Sequence, residues 1–363
     1  MTEKNELESR MLSAVEAGYE RVLQPDTYES FCKIMARFAQ FDVNNQILIW
    51  LRDPNAVCLA SDKDIQAAGI DQVKKERQVL LLEPLVSIDT NAGDMPDHGQ
   101  IDFKFRYQSG VYYSVSGISA FPGKYASDHF IRRFRYFTEA SVVEDDSFVK
   151  GRHNLSLYDP HYNALFLRPG LTEEVRRKEL LHQMMEYQYE RRIKEDPAFF
   201  QYYSRPDKEG REQAKREWDK KYLVEYCAYL HFGIPYCKDS IHLVIDDLKD
   251  YSREQLKVFL FECSLELLQL IRALTGNFFS FYELFLARAF IFTENQEWIG
   301  TMLRTFIEQI NRGLDRYEIR YLTTYARSMV KNILLLPAEQ FKKLVDDNKC
   351  GKLLTCPVRY LEQ

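Results

Sequence analysis

Every strand-like segment in this chain lies before residue 168, and beyond Pro235 the chain reads as almost wholly helical. The extended candidates are Ala56–Ala60, Gln78–Leu82, Ile101–Tyr107, Val111–Val115, Asn154–Leu157 and Ala164–Leu167. Strands gathered ahead of helices predict an α+β chain. At 363 residues, 45% of them hydrophobic, it can bury a substantial core, and roughly 100 to 200 residues per domain suggests two or three domains.

Local signals refine this outline. Leu7, Met11, Ala14, Val15 and Tyr19 mark a helix over Glu6–Leu23, which Gln24-Pro25-Asp26 ends. Thr27 can cap a second helix, with Phe31, Ile34, Met35 and Phe38 on one face, and Asn44-Asn45 interrupts or caps before Gln46–Arg52. A short helix is expected over Asp62–Ala68. Pro84 is expected to stop the strand that starts at Gln78, and Ser109-Gly110 reads as a hairpin turn. A second hairpin is expected across Tyr158–Asn163. Thr172, followed by Glu173 and Glu174, opens a long helix through Lys194. The charged stretch Ser204–Lys221 then precedes a helix over Tyr222–Phe232. Further helices are expected at Arg253–Leu274, Phe281–Phe292, Gln296–Asn311, Arg316–Leu336 and Ala338–Asp347.

The acidic N-terminal residues do not form a secretory signal, and no run approaches the ~18 apolar residues of a membrane span, so a cytoplasmic protein is expected. Seven cysteines with no CxxC pair suggest neither a disulfide framework nor a four-thiolate zinc site. The net charge of -5 argues only against indiscriminate polyanion binding and leaves room for a local basic surface.

Two segments carry chemistry. Leu180-Leu181-His182-Gln183-Met184-Met185-Glu186-Tyr187 has the outline of a zinc-metallopeptidase helix, in which two His at i and i+4 bind metal and the Glu after the first activates water. Here Gln183 stands at the base position, and a carboxamide cannot take a proton from water near neutral pH. Glu186 replaces the second His, and Glu225 on a later helix stands where a third, carboxylate ligand is expected. His182, Glu186 and Glu225 could hold a divalent ion weakly, since one imidazole with two hard oxygens makes a poor zinc site. The plainer reading is a hydrogen-bonded His182–Glu225 pair inside a helix junction. An active hydrolase would need another base, for which Glu179 is the nearby candidate.

The second segment runs from Phe103 to Phe137. It holds Lys104, Arg106, Lys124, Arg132, Arg133 and Arg135 with Asp128 as its one acid, interleaved with rings that include Tyr112 and Tyr113. Rings that stack on bases and cations that follow phosphates are how single-stranded nucleic acid is bound without sequence preference, and alternating strands could present both on one face. The bland alternative is that the rings are core and the arginines a solvated edge.

The run Phe41-Asp42-Val43-Asn44-Asn45-Gln46-Ile47-Leu48-Ile49-Trp50-Leu51-Arg52-Asp53-Pro54-Asn55-Ala56, followed by Val73-Lys74-Lys75-Glu76-Arg77-Gln78-Val79-Leu80-Leu81-Leu82-Glu83-Pro84, resembles the amino-terminal domain of ArdC-type antirestriction proteins. The resemblance covers roughly residues 10 to 240. It departs from the family pattern where Glu76-Arg77 replaces the Gly-Glu of the turn. It implies a single-stranded-DNA-binding domain over 1–140, a degenerate zincin-like domain over 141–240 and a helical region over 241–363. The implied function is an accessory protein of a mobile genetic element, antirestriction or anti-defence in role, with single-stranded DNA as partner. Lys74, Lys75 and Arg77 would join the basic groove, and Asn44 and Asn45 would fix the backbone. No cofactor is expected apart from a weakly held divalent metal. The competing reading is a protein-interaction module or host-defence inhibitor acting through the C-terminal helices without nucleic acid.

Overall fold

The computed structural model describes residues 3–22, 24, 26–67, 78–89, 102–115, 125–147, 155–195, 208–235 and 239–275, and the architecture is α+β. The described residues contain two small sheets. The chain divides into two compact units. One includes the start of helix α1 (Glu3–Tyr19) up to Ala14, strand β2 (Gln78–Asp89) from Leu80 and strand β3 (Asp102–Val115) to Val111. The other takes the described elements within Val15–Val79 and Tyr112–Phe279, and so draws on all three of the expected domains.

In the first unit β2 lies beside β3, and two turn signals are overridden. β2 passes through Pro84, and β3 runs unbroken through Ser109-Gly110. A proline lacks the N–H a central strand must donate, but among the described strands β2 is an edge strand of its sheet, where that loss is tolerated. A two-residue hairpin would require positive φ at its centre. The left-handed glycines among the described residues are Gly170 and Gly233, not Gly110.

In the second unit the end of β3 pairs antiparallel with β1 (Cys58–Ser61), Val115 opposite Cys58 and Tyr112 opposite Ser61. Helix α4 (Asp62–Ala67) follows at once, and its Ile65 packs with Ala60 and Val115. The end of α1 crosses helix α3 (Val43–Arg52) so closely that a β-carbon on Gly18 would run into Ile47 Cγ2.

The expected cap of α3 moves by two residues. Asp42, not Asn44 or Asn45, is the N-cap, and its carboxylate accepts from the Asn44 and Asn45 N–H groups at 3.0 and 3.2 Å and from the Asn45 side chain at 2.8 Å. Burial pushes the Asp42 carboxyl up to about 6 against these donors. Asn44 and Asn45 sit inside the helix, and Asn44 Oδ1 accepts from Tyr19 at 2.7 Å. Gln46 donates to the Phe38 and Phe41 carbonyls and to Ser264. Helix α2 (Tyr28–Arg37) has Thr27 at its N-cap as expected, but the hydroxyl donates to Arg21 and Gln24 carbonyls instead of capping.

Helix α5 (Ser127–Thr138) leads into strand β4 (Ser141–Glu144), and β5 (Ser156–Asp159) and β6 (Ala164–Leu167) form the second expected hairpin. β6 is the central strand, antiparallel to β5 and parallel to β4, and its four residues are buried. Helix α6 (Glu173–Glu195) packs against this sheet and α5.

Helix α7 (Lys208–Phe232) absorbs most of the charged stretch that the sequence pattern sets outside any helix. From Leu223 to Tyr229 every residue is buried, because α2, α6, α8 (Asp239–Leu248) and α9 (Arg253–Thr275) all pack on α7. The buried Lys220 ammonium lies 2.7 Å from Glu217, 3.1 Å from Glu266 and 3.6 Å from Glu262, so it joins α7 to α9. Cys32, Cys227 and Cys263 are buried free thiols, as expected of small apolar fillers. No helix among the described residues is long and apolar enough to cross a membrane. The expected helices after residue 280 lie outside the described residues.

Candidate functional site

Helices α6 and α7 bring His182 and Glu186, paired by their spacing, together with Glu225. His182 and Glu186 stand one turn apart on α6, and Lys221 and Glu225 one turn apart on α7, so two pairs confront each other across the junction. His182 Nδ1 lies 2.7 Å from Glu225 Oε1, which also accepts from the Tyr229 hydroxyl at 2.9 Å. An ionised carboxylate can only accept, so Nδ1 carries the proton. Burial works against charging His182, but the hydrogen bond and charge of Glu225, helped by Glu186, outweigh it and raise the imidazole pKa above its ordinary value.

On the other side of the ring, Nε2 is 3.6 Å from Glu186 Oε1, and that same oxygen is paired with the Lys221 ammonium. The Lys221 side chain is only 3% exposed and lies over the rings of Trp218 and Tyr189, with Nζ 4.6 and 5.3 Å from their centres.

Gln183 faces the sheet. Its Oε1 accepts from the Tyr158 backbone N–H at 2.8 Å, and its Nε2 donates to Ser156 Oγ at 3.0 Å. That hydroxyl in turn donates to Glu179 Oε2 at 2.5 Å. The backbone donor fixes which end of the amide is oxygen. Residue 183 therefore clamps β5 to α6, and Glu179, the alternative base, is engaged in the same clamp.

This arrangement suits a hydrogen-bonded helix junction better than a metal centre. Glu225 meets Nδ1 and Glu186 lies toward Nε2, and the two ring nitrogens point away from each other. Among the described residues no group of three or more His, Cys, Asp or Glu side chains is disposed to hold a metal ion.

The basic aromatic segment is partly recast. Residues 127–138 form a helix, not strands. Phe130, Ile131 and Phe134 are buried, while Arg132, Arg135 and Tyr136 lie on the outer stripe at i, i+3 and i+4. Tyr136 is 73% exposed, and the Arg133 guanidinium lies 5.2 Å from its ring centre. Arg135 also donates to the Val142 carbonyl at 3.3 Å.

Tyr112 and Tyr113 are neighbours in β3 and so face opposite ways. Tyr112 meets Phe41 edge-on at 6.2 Å, and Tyr113 packs on the Ala60–Ile65–Val115 cluster, so the two cannot share one binding face. Lys104 and Arg106 fall on β3. Lys74, Lys75, Arg77 and Lys124 lie outside the described residues.

Two participants escape a sequence reading. Lys221 belongs to the charged stretch, although its place four residues before Glu225 on a continuous helix would have exposed it. Glu173 accepts from the Ser127 N–H at 2.5 Å and the Ser127 hydroxyl at 2.6 Å, and so caps α5 from α6 where Ala126, the N-cap residue, has no side chain to do so. These two bonds hold the Glu173 carboxyl below its ordinary value. Comparison with protein-family models, curated proteins and solved structures returns no match to this chain.

Proposed function

We propose that this chain binds single-stranded DNA through the outer stripe of α5 and that α6 and α7 serve as a scaffold without peptide-hydrolysing chemistry. The observation that carries the reading is the sorting of α5, with Phe130 and Phe134 turned inward and Arg132, Arg133, Arg135 and Tyr136 on or near the outward side. Three guanidiniums within about one helical turn offer cations for the phosphates of a single strand, and a solvent-facing ring offers a base a stacking surface. The resemblance to antirestriction proteins supplies the setting, an accessory or anti-defence protein of a mobile genetic element. The loss of hydrolysis follows from Gln183, whose amide accepts a backbone N–H and cannot act as a base toward water.

The test is a titration of labelled oligothymidine with the full chain at two salt concentrations. Binding that weakens with salt supports the reading. Alanine at Arg132, Arg133 and Arg135 together should flatten the dependence of log affinity on log salt by about 2, at about 0.7 for each single-strand phosphate that is no longer neutralised. Absence of binding at low salt, or an unchanged slope in the triple variant, rejects it.

A further inference from the structure

We propose that the Lys221 ammonium is the resident cation of the α6–α7 junction, and that this ammonium keeps a divalent ion from the His182–Glu186 pair. This goes beyond the nucleic-acid reading and does not depend on it. An ion seated between His182 Nε2 and Glu186 Oε1, the carboxylate oxygen 3.6 Å from it, would share that oxygen with the ammonium already paired to it. Like charge and occupied lone pairs then act together against the newcomer.

Lys221 is built into its place. Its side chain is buried, and the Trp218 and Tyr189 rings flank the ammonium, so it cannot swing into water without giving up both. Roles within the expected ligand set also separate. Glu225, hydrogen-bonded to Nδ1, stands where a carboxylate orients a metal-binding imidazole from behind and raises its basicity. It is a positioning residue, and the direct donors are Nε2 and Glu186.

The full chain, its Lys221→Met variant and its Lys221→Arg variant should be titrated with cobalt(II), followed by visible absorption, with metal analysis of protein purified without chelator. Wild type and Lys221→Arg should show no saturable cobalt band, and Lys221→Met should take up one ion per chain. Adding His182→Ala to Lys221→Met should abolish uptake, and adding Glu225→Gln should weaken it roughly 10- to 100-fold, the usual cost of losing a carboxylate behind a metal-bound imidazole. Where Lys221→Met does not fold without metal, Lys221→Gln provides the second reading, since it keeps a donor for Glu186. The proposal is overturned if wild type carries a stoichiometric ion that His182→Ala removes. It is equally overturned if a folded Lys221→Met or Lys221→Gln binds cobalt no better than wild type, if Lys221→Arg binds as Lys221→Met does, or if uptake survives His182→Ala.

Discussion

The α6–α7 junction and the outer face of α5 are both rich in charge and aromatic rings, yet they use them in opposite directions. At the junction His182, Gln183, Glu186, Glu225 and Lys221 each meet a partner from within the fold. On α5, Arg132 and Tyr136 are exposed to solvent. The same residue types are therefore turned inward in one place and toward solvent in the other. Composition alone cannot separate these uses, because Tyr189 and Trp218 flank a lysine at the junction much as Tyr136 carries an arginine on α5.

Substitutions can break this comparison. The inward use of charge is strongest one residue before Lys221, at Lys220, whose side chain is 1% exposed among three carboxylates. Lys220→Met leaves Glu217, Glu262 and Glu266 without their shared cation and should cost about 3 to 5 kcal/mol in urea unfolding. A loss below about 1 kcal/mol would show that this charge is not cohesive.

Gln183→Ala leaves the Tyr158 N–H buried without an acceptor and should cost about 1 to 3 kcal/mol by the same measurement. Gln183→Glu, although it restores the acid of the hydrolytic motif, should show no cleavage of a generic peptide substrate, since residue 183 faces β5. Tyr136→Ala should leave the unfolding midpoint within error and lower oligothymidine affinity by about 1 to 3 kcal/mol, the worth of one stacked base. A drop in stability with affinity unchanged would move α5 into the junction's class.

The smallest effect concerns pH. His182 has a raised pKa in the fold, so its contribution to stability is complete below about 6.5, the ordinary imidazole value, and is lost as pH rises through the raised value. Because the side chain is 39% exposed, solvent screens this contribution. Wild type should therefore show a shallow fall in unfolding midpoint above neutral pH, and His182→Gln should flatten it.

Some of this is legible in the sequence, and the residues explain how far. Thr172 with Glu173 and Glu174 announces α6 because a helix start is written locally, and Val175 N–H does reach the Thr172 hydroxyl at 3.5 Å. His182 and Glu186 meet because helical spacing is local, whereas Glu225 is expected beside them only from the outline of the metallopeptidase motif, and it meets His182 at 2.7 Å. Pro84 and Ser109-Gly110 mislead because strand pairing overrides their local preference. The charged stretch before Lys221 hides a helix because two of the three partners of Lys220, Glu262 and Glu266, sit on α9, more than forty residues away, and local polarity carries no trace of them. On α5 the signal is present in the spacing of Phe130 and Phe134, one turn apart, but the surrounding alternation points to strands.

Glu173 ties the two compared regions together. Its carboxylate sits in the first turn of α6 and holds the first turn of α5, so the start of the outward-facing helix is secured by the helix that carries the junction. Opening the end of α5 exposes a carboxylate on α6 and two donors on Ser127 in one event. Local opening of α5 and of α6 at this end is thereby coupled through these two bonds, so that a change that loosens one start loosens the other.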